Sequence, residues 1–548
     1  MPASSLTGNA AGTRRFHVPW KWVRRAVQLA VLAAFLWLFR RTESDGADTI
    51  EAAANLLFRL DPLVGLSAIL AGKQWIALLW PALITLALTV ILGRFFCGWV
   101  CPLGTLLDAA HRLLPKRQTR ANARWRVAKF FLLGVVLVAA GLGTQLIGFV
   151  NPFSILVRGM AVAVDPWLNR GVTAPFTWLY RNAPESVTGV SEPIYAFLKT
   201  TILPFQQNAF VWAGVSFALL AAVFALELVE RRFWCRHLCP SGALMGLAAR
   251  FALVRRLPGR VCGRCRSAAD CAEFCRMGAF DSGQRLIVES CNLCLDCVDV
   301  CPSRVPRFGF RKSRVADAPM ELSRRLFLTS LASGVALPAV ARVVGDGNRL
   351  PVGLVRPPGA GGERRFVDLC VRCGECMKVC PTNALQPALF ESGVEGAFSP
   401  RLLAQRGYCE FNCTLCGQVC PTGALKRLTV AEKHTCVIGK AVFDKTRCLP
   451  FATGESCITC EEHCPLPEKA IRFREVEMVT EKTGARVLVK QPFVVLSLCI
   501  GCGICENKCP VEGKRGIRVV REETVPPEVR REYEELERAS PVGSHLHI

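Results

Sequence analysis

Cysteine spacing constrains this chain more than any other feature. It has 29 cysteines in 548 residues. Twenty-four fall into six groups of four, four more form two C-x3-C-P pairs, and Cys436 stands alone. Three groups have the full C-x2-C-x2-C-x3-C-P spacing: Cys291, Cys294, Cys297 and Cys301; Cys370, Cys373, Cys376 and Cys380; Cys499, Cys502, Cys505 and Cys509. Cys409, Cys413, Cys416 and Cys420 carry one extra residue in the first gap. Cys448, Cys457, Cys460 and Cys464 have a long first gap. Cys262, Cys265, Cys271 and Cys275 have a longer second gap, and Arg276 replaces the proline. A cubane cluster needs four converging thiolates. A loop with cysteine at every third position supplies three, and the fourth, opening the next short helix, commonly ligates a neighbouring cluster. Proline suits that first helical position because its missing N–H has no partner there anyway. Gly374, Gly501 and Gly503 let the loop wrap closely with N–H groups facing sulfur. The spacing predicts six [4Fe–4S] clusters. A chain this long is no small disulfide scaffold, and structural zinc is the weaker alternative.

The pairs Cys97/Cys101 and Cys235/Cys239 supply two ligands each. Three readings stand: one shared seventh metal or cluster site, two redox-active dithiols, or a structural role. They belong to an internal repeat. Arg94-Phe-Phe-Cys97-Gly-Trp-Val-Cys101-Pro-Leu-Gly is matched by Arg232-Phe-Trp-Cys235-Arg-His-Leu-Cys239-Pro-Ser-Gly, and Asp61-Pro62-Leu63 is echoed by Asn151-Pro152-Phe153. Both pairs should therefore emerge at one membrane face. His237, inside the second pair, is either a metal neighbour or an interfacial histidine, and Cys436 reads as a buried thiol.

Apolar residues make up 51% of the chain, and the formal charge is +24. Charge-free runs cover residues 26–39, 74–93, 130–157, 200–226 and 326–341. A helical span needs ~20 such residues, so the second to fourth are expected to cross a membrane, and flanking arginines extend the first and fifth. Basic residues crowd the loops after the second and fourth runs, from Arg112 to Lys129 and from Arg231 to Arg260. By the positive-inside rule those loops and the N-terminus face the cytoplasm. With 4 tyrosines and no basic stripe interleaved with aromatics, a nucleic-acid module is excluded.

The expected fold is multi-domain: an α-helical membrane bundle of four spans plus a fifth, joined to α+β bacterial-ferredoxin-like iron–sulfur domains. The expected units are 1–250 (membrane domain), 251–320 (two-cluster domain), 321–345 (fifth span), 346–366 (flexible linker), 367–522 (four-cluster domain) and 523–548 (charged, solvated tail).

Residues 1–310 resemble the NapH family of membrane ferredoxins, with NosR, CcoG and MauN as relatives of the C-x3-C-P unit. Residues 320–522 resemble NapG and MauM, and Ser323-Arg324-Arg325-Leu326-Phe327-Leu328 is similar to a twin-arginine motif, followed by small residues at Ala339-Val340-Ala341 where a signal peptidase acts. The chain thus looks like a NapH–NapG fusion. This resemblance implies a multi-pass protein of the bacterial inner membrane, with 251–320 cytoplasmic and 346–548 periplasmic. It implies a quinol dehydrogenase taking electrons from the membrane quinol pool and passing them to a periplasmic cytochrome or terminal reductase such as nitrate reductase. CcoG-type metal-centre maturation and MauM/MauN-type amine oxidation are the alternatives. No residue is singled out for quinol binding or catalysis.

Overall fold

A computed structural model describes residues 19–44, 46, 48–50, 53–114, 123–204, 206–257, 275–280, 285–300, 307–310, 323–344, 351–389, 391–480, 484 and 486–539. Cys262, Cys265, Cys271 and Cys301 lie outside these residues.

The N-terminal unit is helical. Its main helices are α1 (Trp20–Arg41), α2 (Pro62–Gly72), α3 (Pro81–Leu92), α4 (Pro102–Leu113), α5 (Ala128–Gly141), α6 (Pro152–Gly159), α7 (Asp165–Asn182), α8 (Glu185–Thr201), α9 (Ala213–Ala225) and α10 (Pro240–Ala248). The repeat is visible in the helix starts. Asp61 caps α2 by accepting from the Leu63 N–H, and Asn151 caps α6 by accepting from Phe153 and Ser154. Each cap precedes a proline at the first helical position, as Cys101 and Cys239 do before α4 and α10.

Among the described residues, α1 is the one helix long and apolar enough to cross a membrane alone. Its 22 residues rise about 33 Å, close to the ~30 Å hydrocarbon thickness of a bilayer. The next three charge-free runs, expected as full-length spans, hold only shorter helices among the described residues. The run 130–157 breaks where Gly143 takes a positive φ of 80° and restarts at the Asn151 cap. The run 74–93 is helical over Ala77–Leu92, and the run 200–226 holds the last two residues of α8 and the helix that begins at Ala213. Helices α7 and α8 fall largely between the third and fourth charge-free runs and contain Pro175 and Pro193. Large apolar side chains such as Trp37, Leu83, Ile84, Phe217, Phe327 and Val335 are exposed around the unit.

Helix α11 (Arg324–Val344) is 21 residues long and packs along α5. A Cβ at Gly134 would stand 2.9 Å from Ser330 Cβ, and one at Gly334 would stand 2.7 Å from Val138 Cβ. Residues 134 and 138 thus face 330 and 334 in the same order, so the helices run parallel. Small residues permit this close approach of backbones.

The iron–sulfur segments are built from short antiparallel pairs. Strands β1 (Val254–Leu257) and β2 (Arg307–Phe310) pair with each other. Beyond α11, β3 (Leu385–Pro387) pairs with β4 (Pro400–Leu402), β5 (Lys440–Phe443) with β8 (Ile517–Val520), and β6 (Ile471–Val479) with β7 (Arg486–Val494). Two expectations at the edges of this region are corrected. Residues 351–366 are not a free linker: Leu354, Val355 and Ala360 are buried, Val355 bridges to Leu402, and Arg356 holds Glu363 at 2.5 Å. Apolar residues among the prolines and glycines give that stretch something to bury. The C-terminal helix α12 (Pro527–Ala539) is not wholly solvated either. Tyr533 is buried, its hydroxyl oxygen accepting from the Phe443 N–H at 3.1 Å.

The two iron–sulfur regions dock at opposite ends of α1. At its start, the Lys21 N–H donates to Asp299 and Arg24 to the Cys294 carbonyl. Just beyond its end, Glu43 pairs with Lys378 at 2.9 Å. Helix α5 spans the same two regions, from Lys129 near Ser290 to Thr144, just past its end, beside Glu395.

The parallel α5/α11 contact predicts that Gly334→Leu lowers stability by about 1–3 kcal/mol through overpacking. Gly171→Leu, at a helical position with nothing within 4 Å, should leave the melting temperature unchanged or raise it. Thermal unfolding in detergent compares them. Equal effects would contradict the packing.

Candidate iron–sulfur centres

Each cysteine loop places three thiols together, and the fourth comes from a neighbouring loop. Cys420 lies among Cys370, Cys373 and Cys376, close enough for its charge to raise their thiol pKa values. Cys380 stands in the same relation to Cys409, Cys413 and Cys416. One cavity is lined by Cys448, Cys457, Cys460 and Cys509, and another by Cys464, Cys499, Cys502 and Cys505. Thus Cys464 and Cys509 exchange places between their groups. In the N-terminal region Cys275 lies beside Cys291 and Cys294, and Cys297 follows in the same loop. The partners of that exchange, Cys262, Cys265, Cys271 and Cys301, fall outside the described residues.

The environment suits sulfur ligation. Backbone N–H groups of Ala279, Leu425 and Ala441 point at Cys275, Cys420 and Cys499 at 3.3–3.4 Å. Burial pushes the Cys409 and Cys448 thiols up to about 12. Protons held that tightly are displaced when a metal takes the thiolate. Gly374 and Gly503, with φ of 86° and 82°, turn their loops where an L-residue is strained. The atypical fourth group keeps its geometry because Lys433 donates to the carbonyls of Glu410 and Phe411, and His434 stacks on Phe411 at 3.9 Å.

The two C-x3-C-P pairs come together. Cys97, Cys101, Cys235 and Cys239 act on one another electrostatically, and the Gly242 N–H donates to Cys239 Sγ at 3.3 Å. Two buried arginines, at equivalent places in the repeat, serve this quartet, each reaching into the opposite repeat. Arg232 donates to the carbonyls of Cys97 and Gly104 and binds Asp108 at 2.7 Å. Arg94 lies over Gly242, where a Cβ would meet its guanidinium at 2.5 Å, and donates to the Glu289 carbonyl at 2.9 Å. Two guanidinium charges offset the negative charge that four thiolates leave around a divalent metal or cluster core, so the residues fit such a group. Cys239 is buried and Cys97, Cys101 and Cys235 are half-buried, whereas disulfide exchange wants an accessible thiol.

The quartet is wedged between the two docking regions. On one side the Asn292 carbonyl would meet a Cβ at Gly98 at 2.3 Å, and Trp99 donates to the Leu293 carbonyl at 2.9 Å. On the other a hydrogen-bonded chain leaves the start of α10. Ser241 donates to Asp61 at 2.9 Å, and Asn151 donates to the same oxygen at 2.6 Å. Asn151 also accepts from the Ser154 N–H, and the Ser154 hydroxyl donates to the Val371 carbonyl at 2.9 Å. Val371 is the neighbour of Cys370. The aromatic rings of Phe96, Phe153 and Phe58 follow a similar course, with centroids 6.1 and 6.2 Å apart.

His237 is not turned to this centre through Nε2, which lies 2.9 Å from Glu230, and the ring packs on Phe233. Cys436 is half-buried and forms no disulfide among the described residues. The arginines were missed in the sequence, although their equal places in the repeat were a readable signal. Asp61 and Asn151 were visible there only as an echo.

A family model described as a 4Fe-4S binding domain matches residues 74–120 and 210–260, the stretches that carry the quartet. A 4Fe-4S dicluster domain matches 369–424, and a second 4Fe-4S binding domain matches 492–513. The ferredoxin-type protein NapG of Escherichia coli (strain K12) is 38% identical over 204 residues, covering 36% of this chain and 85% of NapG. The methylamine utilization ferredoxin-type protein MauM of Methylorubrum extorquens is 36% identical over 214 residues, 37% of this chain and 92% of MauM. MauN of Paracoccus denitrificans is 30% identical over 282 residues, 48% of this chain and 78% of MauN. The chain belongs to the ferredoxin-type proteins that include NapG, MauM and MauN. It is a multi-domain, mostly helical iron–sulfur protein of the electron-transfer class. No solved structure matches it.

The exchanged thiols predict which substitutions share a phenotype. Cys370→Ser and Cys420→Ser should remove the same EPR signal, the double change adding nothing, because residues acting as one unit are not additive. Cys380→Ser should remove the signal lost in Cys413→Ser. Pairing of Cys380 with Cys370 instead would refute the exchange.

Proposed function

We propose that this chain is a multi-pass membrane protein that takes electrons from quinol and carries them to an acceptor on the far side of the membrane. The thiol sets assembled above would hold the six [4Fe–4S] clusters, with Cys275 joining Cys291, Cys294 and Cys297, and Cys301 joining Cys262, Cys265 and Cys271. Cys97, Cys101, Cys235 and Cys239 would hold a seventh centre. Such clusters supply one-electron transfer when bound, and the protein's residues set their spacing and potential.

The observation that carries the reading is the place of the quartet. It touches the Cys291–Cys297 loop through Gly98 and the Cys370 loop through Ser241, Asp61, Asn151 and Ser154. Those loops dock at opposite ends of α1, a helix of bilayer length. A conductor with a way-station between its ends removes the difficulty of moving electrons across the hydrocarbon in one step. The parallel α5/α11 pair supports the same sidedness. If α5 leaves the cytoplasm after its basic loop, so does α11 after Arg324-Arg325, and residues 351–539 are periplasmic. The exposed apolar side chains around the helices suit lipid contact. Similarity to NapG favours a periplasmic reductase such as nitrate reductase as acceptor. MauM and MauN, both named for methylamine utilization, support a second reading in which the partner belongs to amine oxidation.

Anaerobic addition of a reduced quinone analogue to the purified protein tests this, with cluster reduction followed by EPR. The wild type should be reduced. Cys97→Ser and Cys235→Ser should slow reduction of one set of clusters to a similar degree, and the double change should slow it little further. Independent, multiplying effects would mean two dithiols. No reduction by quinol would leave the conductor without this donor.

A further inference from the structure

A second polar feature borders the thiol centres without including their cysteines. A cavity of about 190 Å³ opens where the first turn of α1 meets the last turn of α4 and the loop carrying Cys294. It has room for several waters. Its walls carry six cationic side chains and three carboxylates, so positive charge is in excess by three.

The pairing within it is uneven. Arg276 and Arg24 are spent on acids: Arg276 binds Asp108 and Asp296 at 2.6 Å, and Arg24 binds Asp296 at 2.5 Å. Asp299 accepts from the Lys21 N–H at 2.7 Å, not from its ammonium. Among the described residues the Lys21 ammonium, Arg25 and Arg112 make no ion pair, and Arg231 reaches Asp108 only at 3.9 Å. The Nε atoms of Arg25 and Arg231 are buried with no hydrogen-bond partner. Burial and the neighbouring Arg276 hold the Arg231 guanidinium below its ordinary value. The first turn of α1 has no acidic residue, so the positive end of the helix dipole adds to the same excess. Like charges crowded at a helix start with unmet donors are what an anion would relieve.

We propose that this cleft binds a phosphate group, and that its source is the headgroup of an anionic phospholipid of the leaflet at that face. The assignment to lipid rests on the membrane reading above. It is supported by the cleft's neighbours: Trp20 and Trp22 are exposed beside it, with Arg25 stacked over the Trp22 ring at 4.8 Å, the aromatic placement typical of a membrane interface. The lining is too charged for an apolar ring system. Because Arg24 also donates to the Cys294 carbonyl, an occupant would fasten the start of α1 to that cysteine loop.

Native mass spectrometry of the detergent-purified full chain tests this without reference to electron transfer. Phosphatidylglycerol should be retained, and phosphatidylcholine with the same acyl chains should not. Arg25→Gln with Arg231→Gln should weaken phosphatidylglycerol binding about thirtyfold, on the order of fivefold for each charge. Should that variant not fold, Arg112→Gln on the exposed rim should weaken it about fivefold. Equal retention of both lipids, or unchanged binding in a folded variant, would overturn the proposal. Inorganic phosphate binding at the same stoichiometry, lost in the variant, would uphold the phosphate site and overturn its assignment to lipid. Cluster reduction by quinol that fails while lipid binding holds would count against the proposed function and not against this site.

Discussion

Two arginines crossing between two repeats organise the N-terminal half of this protein. Arg232 and Arg94 are buried, and each lies against a turn that begins with a cysteine and a proline in the opposite repeat. A buried guanidinium is tolerable only with its hydrogen bonds met and its charge opposed. Asp108 and the Gly104 carbonyl do this for Arg232, and the Glu289 carbonyl does part of it for Arg94. The repeats cannot slide past each other without breaking these bonds. The same clamp therefore brings Cys97 and Cys101 to Cys235 and Cys239, and fixes positive charge beside four thiols.

From that centre the rest follows by close approach of backbone. Gly98 and Gly246 accept the loop of the first cysteine region, the latter with a would-be Cβ only 2.6 Å from the Glu289 carbonyl. Gly148 does the same for the second region, 2.7 Å from the Val371 carbonyl. Side chains at these glycines would push the cysteine loops away from the helical unit. In the proposed function, electron transfer would slow as those loops moved away, so the glycines would matter to it as the thiols do. Asp61 and Asn151 are each a helix cap and each a link in the hydrogen-bonded chain.

The cysteine groups and the repeat were legible because metal ligation imposes fixed local spacings that survive any context. The exchange of Cys420 with Cys380, and of Cys509 with Cys464, was legible only as a tendency, since it depends on how two loops meet. Helix boundaries in the apolar N-terminal unit were harder. The run 130–157 carries no charge, yet Gly143 and the Asn151–Pro152 cap break it. Hydropathy registers apolar length and is blind to a single left-handed residue. Residues 351–366 misled by composition: their prolines and glycines suggested a linker, but Leu354, Val355 and Arg356 found partners far along the chain. The charged cleft was not legible at all, because it assembles side chains from positions 21 to 299.

In the proposed function electrons cross between two docked cluster regions through the Cys97/Cys101/Cys235/Cys239 centre. The most direct measurement places the protein, uniformly oriented, in sealed liposomes and adds a membrane-impermeant reductant to one side. EPR then counts reduced clusters on both sides. The account predicts that the wild type fills both sets from either side, whereas Cys97→Ser with Cys235→Ser fills only the set facing the reductant. Far-side reduction that is equally fast in the variant, or absent in the wild type, would contradict it.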